Sequence, residues 1–538
     1  MNKILKICVT ILAITTIVPA FSQSKEFNTG KSLDVQFSIL RELSMFYVDS
    51  IKIDNLIKTG IEAMLESLDP YTVYIPEEDN ESIELMTTGS YGGIGAIIRR
   101  VDPGILISDV NENSPASKAG LVAGDTILKI DNQLTSVLSL DSCSSKMKGS
   151  PGTEVNFVIK RLREGDTINY KILRDRIHFP DVAYSGLIND TLGYIRVTGF
   201  TLGGAKDVKR ELLDLKSKGD LKRLIIDLRG NGGGLIDEAV NLVSLFVPKG
   251  TKVVSALGRV KQADMVYFTK DEPVDTSLAL VVLVNSSSAS SSEIVAGALQ
   301  DLDRATIAGT RTFGKGLVQS IREVGYNNKI KLTTAKYYTP SGRCVQAIDY
   351  NHRNDDGSVG SIPDSLRKAF KTLKGRTVYD GGGIEPDVIL EPQTFSRPAL
   401  SLAYGDILHE YSINFFKENL TIATASKFEL TPAQYEDFVK FAAQKEFDNR
   451  SASDVDLDKF ILTAKKEGLY NDFKEEIDAL EKKVKLSKED VLRRNSVEIK
   501  ALLEEEIVNR YYYQRGRVES ILRNDIQVKS AAIVNLIN

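Results

Sequence analysis

Histidine and cysteine are scarce, with three of each in a chain of 538 residues. So few cysteines exclude a disulfide scaffold and leave open at most one bridge, between Cys143 and Cys344. A basic excess is also missing. Lys and Arg number 69 against 73 Asp and Glu, and the net charge of −4 offers no footprint for nucleic acid. Only one long apolar run occurs, Ile7 to Pro19 inside "MNKILKICVTILAITTIVPAFSQS". A membrane-spanning helix needs about 20 apolar residues, and this run is shorter. Lys3 and Lys6 precede it, and Ala20 and Ser22 flank a cleavage point before Gln23, which is the layout of a secretory signal peptide over residues 1–22. Cys8 lies ahead of most of the run and does not suit lipid attachment. The expectation is an exported protein with no integral membrane span after cleavage. In a bacterium it would be periplasmic or associated with the outer side of the membrane.

What is present divides by texture, in a chain too long for one hydrophobic core. From Lys25 to Asn80 the pattern is helical, with Leu33, Phe37, Leu40 and Leu43 spaced as an apolar stripe, until Pro70 and Pro76 break it. An N-terminal helical domain is expected over 23–82. Short strands and turns fill 83–168. From 169 to 393 strands and helices alternate. "KRLIIDLRGNGGGLIDEAVNLVSLF" and "SLALVVLVNSSSASSSEIVAGALQD" each read as an apolar strand, a turn and a helix. Near-continuous apolar strands imply a sheet covered on both faces, hence an α/β core. Residues 394–538 are charged and helical without a sustained heptad, which predicts a bundle or packing arm. The fold class is therefore multidomain α+β.

The serines at Ser286–Ser288 and Ser290–Ser292 crowd one helix start. Ser290 and Glu293 satisfy the S-x-x-E capping box, a purely structural reading. The same turn also suits a nucleophile, because the N–H groups of a first helical turn favour developing negative charge. A serine hydroxyl then needs a base. His178, His352 and His409 lie outside any strand-end glycine context. Lys315, in "RTFGKGLVQSI", sits between two glycines at the mouth of an apolar strand, and a buried lysine can lose its proton near neutral pH. A second glycine loop, "SYGGIGAIIRR", lacks the GK[ST] ending and the following helix of a phosphate loop. A hairpin turn or a peptide-binding loop remains.

The pairing of "SASSSEIVAGALQD" with "TFGKGLVQ" resembles the C-terminal processing peptidases, or tail-specific proteases. The resemblance extends to "DLRGNGGG", to "KYYTPSGR" at 336–343 and to "GGIEPDV" at 382–388, and covers about Val35 to Leu390. It implies a crotonase/ClpP-like core with Ser290 as nucleophile, Lys315 as its base 25 residues on, and Gln319 orienting the lysine. It also implies an oxyanion hole from the N–H groups of Gly233 and Ser291, with no metal and no cofactor. Gly230 and Gly232 stand where the family often has Asn and Pro, and Ser291 where it often has Ala. These departures leave the backbone donors in place and make the loop more flexible. The glycine loop, followed by "DVNENSPASKAGLVAGDTILKIDNQ", resembles a PDZ domain over 83–168. There Gly92, Gly93, Ile94 and Gly95 would hold a peptide's terminal carboxylate while the peptide adds a strand. The resemblance implies an exported serine endopeptidase acting on proteins or peptides with free C-termini, with homo-oligomerisation left open. A PDZ scaffold with a degenerate core and an acyl-CoA enzyme of the crotonase type are the alternatives. Peptide cleavage and CoA binding discriminate them.

Overall fold

The computed structural model describes residues 24–534 except 164 and 355, so the expected leader at 1–22 lies outside the described residues. The chain divides into two units. One comprises the residues up to Pro76 with Ile321–Leu332, and the other Glu77–Ser320 with the residues from Thr333 onward.

In the first unit, helices Ser24–Phe46 and Ile53–Glu66 precede the strand Val73–Ile75, which pairs antiparallel with residues 329–331. The helices follow the sequence expectation, but the apolar stripe is not buried as such: Leu33 and Phe37 are exposed. Val35 and Ile39, on the opposite face, are exposed as well, so no single side of this helix forms a core.

The second unit begins with a β-rich segment. Its antiparallel sheet runs Ala96–Val101, Gly104–Val110, Thr126–Ile130, Glu154–Lys160, Thr167–Leu173, with Ala96–Val101 at one edge. Along Glu154–Lys160 the alternation is clean: Val155, Phe157 and Ile159 are buried, whereas Glu154, Asn156 and Lys160 point outward. Helix Leu140–Met147 contributes Cys143 and Met147 to the same core. Two expected boundaries shift here. The break at 168/169 falls inside strand Thr167–Leu173, and Asp175–His178 then pairs with Ser90–Gly93. The break at 82/83 falls inside helix Asn80–Thr88. The first shift arises because a strand's partner, not its local pattern, decides where a sheet ends.

The α/β part is a six-stranded sheet in the order Val182–Asn189, Leu192–Val197, Arg223–Asp227, Ala279–Val284, Thr306–Gly309, Val388–Ile389. The first pair is antiparallel and the rest are parallel. One face, including Leu224, Ile226, Val282 and Ile307, packs on helices Gly204–Lys218, Ile236–Ser244 and Ser291–Asp301. The other face presents Tyr194, Ile225, Val281, Leu283 and Ala308 to Val518, Val528 and Ala531 of the C-terminal helices. The last helix, Ile526–Ile533, is thus part of the layer that covers the sheet. Helices Arg397–Tyr404, Ile407–Glu418, Pro432–Ala443, Lys488–Arg494 and Ser496–Asn524 share their own core around Leu402, Phe438, Leu492, Leu503 and Ile507. Cys143 and Cys344 are both free thiols. Among the described residues no helix is long and apolar enough to cross a membrane.

Candidate active site

Parallel strands deliver their following turns to one sheet edge, and two such turns meet here. Strand Arg223–Asp227 runs into the glycine loop Gly230–Gly234, and its neighbour Ala279–Val284 runs into the serine turn. Serine hydroxyls join them. Ser288 Oγ donates to the Leu228 carbonyl at 2.8 Å, Ser292 Oγ to Asn231 O at 2.9 Å, and Ser291 Oγ to Gly234 O at 2.9 Å. All three side chains are fully buried. Three of the clustered serines therefore fasten the glycine loop, which accounts for their number.

Ser290 differs from them. It is half-buried, and its backbone sits at φ 56°, ψ −114°, a conformation that costs a non-glycine residue on the order of 1–3 kcal/mol. Strain of this kind at a strand-to-helix turn is how a nucleophilic serine is held out at the top of a sheet. Gly233 packs directly against it: a Cβ on Gly233 would lie 2.8 Å from Ser290 Cβ and 2.9 Å from the Ser291 nitrogen. The expected nucleophile and both expected oxyanion donors are thus brought together. The Gly233 N–H itself donates to Asn231 Oδ1 at 2.9 Å, and Asn231 is fixed by its own amide on Val197 O at 3.0 Å.

The lysine loop arrives through a residue that sequence reasoning treated only as a cap. Glu293 is fully buried. Its Oε1 accepts from Thr312 Oγ1 at 2.6 Å and Gly314 N–H at 2.7 Å. Its Oε2 accepts from the N–H groups of both Ser290 and Lys315, each at 2.9 Å. The backbone nitrogens of the two candidate catalytic residues therefore lie no more than twice 2.9 Å apart. Burial pushes the Glu293 carboxyl above its ordinary value, and its four donors oppose that rise. Gly314 and Gly316 hold Lys315 by close approach: Cβ atoms there would meet Ala347 Cβ at 2.3 Å and the Gln346 nitrogen at 2.7 Å. Phe313 N–H donates to Ser288 O at 3.0 Å, and Tyr337 OH to Ser290 O at 3.3 Å, so "KYYTPSGR" also reaches the turn. Gln319 donates its amide N–H to Thr333 Oγ1 at 3.1 Å. The three histidines face other partners: Ser90 for His178, Asp349 for His352, and Arg510 with Glu506 for His409.

At the head of the glycine loop Asp227 is fully buried and bonded to Tyr194 OH at 2.7 Å and to the Arg229 guanidinium at 2.6 Å. Burial alone would raise its carboxyl; the Arg229 charge and hydrogen bonds outweigh it and hold it below the ordinary value. Only the "DLR" spelling marks this pair in the sequence. Among the described residues no group of three or more His, Cys, Asp or Glu could hold a metal ion.

The Gly92–Gly95 loop belongs to the β-rich segment. Gly92 and Gly93 lie in strand Ser90–Gly93, Ile94 is core, and Gly95 takes φ +75°. Cβ atoms on Gly92 and Gly95 would meet Gly149 O at 2.2 Å and Ser114 Cβ at 2.4 Å, so packing demands these glycines whatever ligand they face. The loop opens directly into the edge strand Ala96–Val101.

Comparison with known proteins gives the family of the chain. The profile of Peptidase family S41 matches residues 191–352, that of a PDZ domain residues 106–161, and that of the probable PDZ-protease C-terminal helical domain residues 399–534. The carboxy-terminal-processing protease of Bartonella bacilliformis is 37% identical over 340 residues, which are 62% of this chain and 77% of that protein. A probable CtpA-like serine protease of Staphylococcus aureus is 32% identical over 310 residues, 57% of this chain and 61% of that protein. Among solved structures, the photosystem II D1 C-terminal processing protease aligns at 26% identity with a TM-score of 0.36, covering 66% of this chain and 87% of that one. The chain belongs to peptidase family S41, the serine-type family of its carboxy-terminal-processing relatives, and carries a PDZ domain and a C-terminal helical domain beside the protease core.

Proposed function

We propose that this chain is an exported serine endopeptidase that selects protein or peptide substrates through their C-termini and cuts them with a Ser290–Lys315 dyad. The observation that carries this reading is the single Glu293 oxygen on which the Ser290 and Lys315 N–H groups converge. Ser290 Oγ bonds to the scissile carbonyl carbon as its proton passes to the neutral Lys315 Nζ and the carbonyl π pair moves onto oxygen. The oxyanion accepts from the Ser291 N–H and, as a second acceptor beside Asn231 Oδ1, from the Gly233 N–H. The pair returns, the C–N bond breaks, and Lys315 gives the proton to the departing amine, leaving an ester on Ser290. Water then attacks the ester carbon, its proton passes to Lys315, and Ser290 departs taking that proton. Gln319, steadied by Thr333, orients the lysine amine. The Gly92–Gly95 loop takes the substrate's terminal carboxylate, and the open edge of Ala96–Val101 takes its chain as an added strand. Export rests on residues 1–22.

Hydrolysis of fluorescein-labelled casein tests the dyad. Ser290→Ala should lower kcat by at least about a thousand-fold, as loss of a covalent nucleophile does elsewhere. Lys315→Arg should be as inactive as Lys315→Ala, because arginine stays protonated and cannot take the serine proton. Retained hydrolysis in the arginine variant refutes the general-base role.

A further inference from the structure

The last helix of the chain reaches the glycine loop through one side chain. Arg229 immediately precedes that loop and is 13% exposed at its side chain. Asp227 holds it from within its own strand, and two residues of the C-terminal region hold it from outside. Asp525 accepts from Arg229 Nη2 at 2.7 Å and from Nη1 at 3.3 Å, and Gln527 Oε1 accepts from Nη1 at 2.9 Å. Neither outside partner is adventitious. Asp525 also caps helix Ile526–Ile533, with Oδ1 accepting from Val528 N–H at 2.9 Å. Gln527 donates to Leu390 O at 2.9 Å. The far end of the same helix is tied to the start of the Arg223–Asp227 strand, where Arg223 donates to Ala532 O at 2.5 Å. Helix and strand are thus pinned at both ends, and the upper pin is the residue from which the glycine loop hangs. Beyond it, Gly230 N–H is bonded to Asn285 Oδ1 at 3.0 Å and Gly233 packs on Ser290.

We propose that Asp525 is a positioning residue for peptide hydrolysis: acting through Arg229, it fixes the glycine loop so that the Gly233 N–H is in place for the oxyanion. The C-terminal helical domain is then part of the catalytic apparatus, and its docking sets the activity of the core. This rests on the oxyanion role given to Gly233 above. With the charge of Asp525 removed, Arg229 keeps Asp227 but loses its outer carboxylate, and the loop gains freedom where the transition state needs a fixed donor.

The test uses the full chain and the labelled casein assay. Asp525→Asn keeps a competent helix cap and removes the charge. Its kcat should fall about ten- to a hundred-fold, as for a lost charge-assisted bond used in the transition state, with KM within about two-fold. In the double variant with Arg229→Gln, Asp525→Asn should add little to the loss that Arg229→Gln already causes, because the Arg229–Asp525 contact is gone in either case. Wild-type kcat in Asp525→Asn, or losses that multiply in the double variant, overturns the proposal. Should Asp525→Asn not fold, Gln527→Leu removes the neutral half of the same clamp; a fall in kcat at constant KM supports the proposal, and an unchanged kcat overturns it. Ser290→Ala assayed in parallel separates the claims. If that variant stays active the dyad itself is wrong, whereas a dead Ser290→Ala beside a fully active Asp525→Asn condemns only the positioning role.

Discussion

Removing the Glu293 carboxylate attacks the joint between the serine turn and the lysine loop. Glu293→Ala strips the acceptor from the buried Gly314 N–H, from the part-buried N–H groups of Ser290 and Lys315, and from the Thr312 hydroxyl. At about 1–3 kcal/mol for each buried unsatisfied donor, the three N–H groups together cost up to about 9 kcal/mol, less where water reaches the two part-buried ones. Glu293→Gln is milder, because its amide can choose how to lie. With its NH2 toward Thr312, whose hydroxyl can rotate to accept, only the Gly314 N–H faces another donor, and the remaining oxygen still joins Ser290 to Lys315. That loss and the missing charge on two bonds come to about 3–5 kcal/mol. Casein hydrolysis and thermal unfolding at one fixed pH should therefore rank wild type above glutamine and glutamine above alanine, with alanine inactive. An alanine variant of near-wild-type rate, or a glutamine variant worse than alanine, refutes the joint. The pH dependence follows from the same burial. Glu293 titrates above its ordinary value of 4.5. A group raised on folding contributes stability that is full below its unfolded value and is lost as pH rises through its folded value. Activity runs the other way: as pH falls through the raised value, the acid turns one oxygen into a donor and the joint loses an N–H. Protonation of the base Lys315 sets an acid limb of its own; beneath it the fall in kcat/KM should steepen at a pH above 4.5, and that second step should be absent from the glutamine variant.

The buried and exposed serines should part company. Ser288→Ala and Ser292→Ala each remove a donor to the glycine loop and should destabilise by about 1 kcal/mol, whereas Ser286→Ala and Ser287→Ala, on exposed side chains, should unfold and hydrolyse like wild type. Equal effects at all four positions would contradict the fastening role. For the PDZ loop, a peptide with a free C-terminal acid should be cut about ten- to a hundred-fold faster than its amide at low concentration, the effect of one charge-assisted hydrogen bond. Equal rates would remove the case for carboxylate recognition.

Much of this architecture is legible in local pattern. The runs "LII" at 224–226 and "ALVVLV" at 279–284 are apolar at every position because helices cover one face of the sheet and the C-terminal region the other. The serine turn and the lysine loop carry their register in the sequence. What local pattern conceals is partnership. Glu293 spells a capping box, and its bond from the Ser290 N–H is real, yet three of its four side-chain bonds go to residues 312–315, which only the sheet brings near. Asp525 and Arg229 are 296 residues apart, and no periodicity links them. The stripe on the first helix misled for the opposite reason: a periodic face predicts a helix, but burial needs a surface to receive it, and Leu33 and Phe37 remain exposed.

The central claim is that Ser290 is the nucleophile and Lys315 its base. A serine-directed fluorophosphonate, which bonds to a reactive serine oxygen with loss of fluoride, reports both directly when the adduct is located by peptide fragmentation mass spectrometry. The account predicts a single adduct on Ser290, with none on Ser286–Ser288, Ser291 or Ser292, and labelling that slows sharply in Lys315→Arg. An adduct on Ser288 or Ser292, or labelling of Ser290 at the wild-type rate in Lys315→Arg, would contradict it.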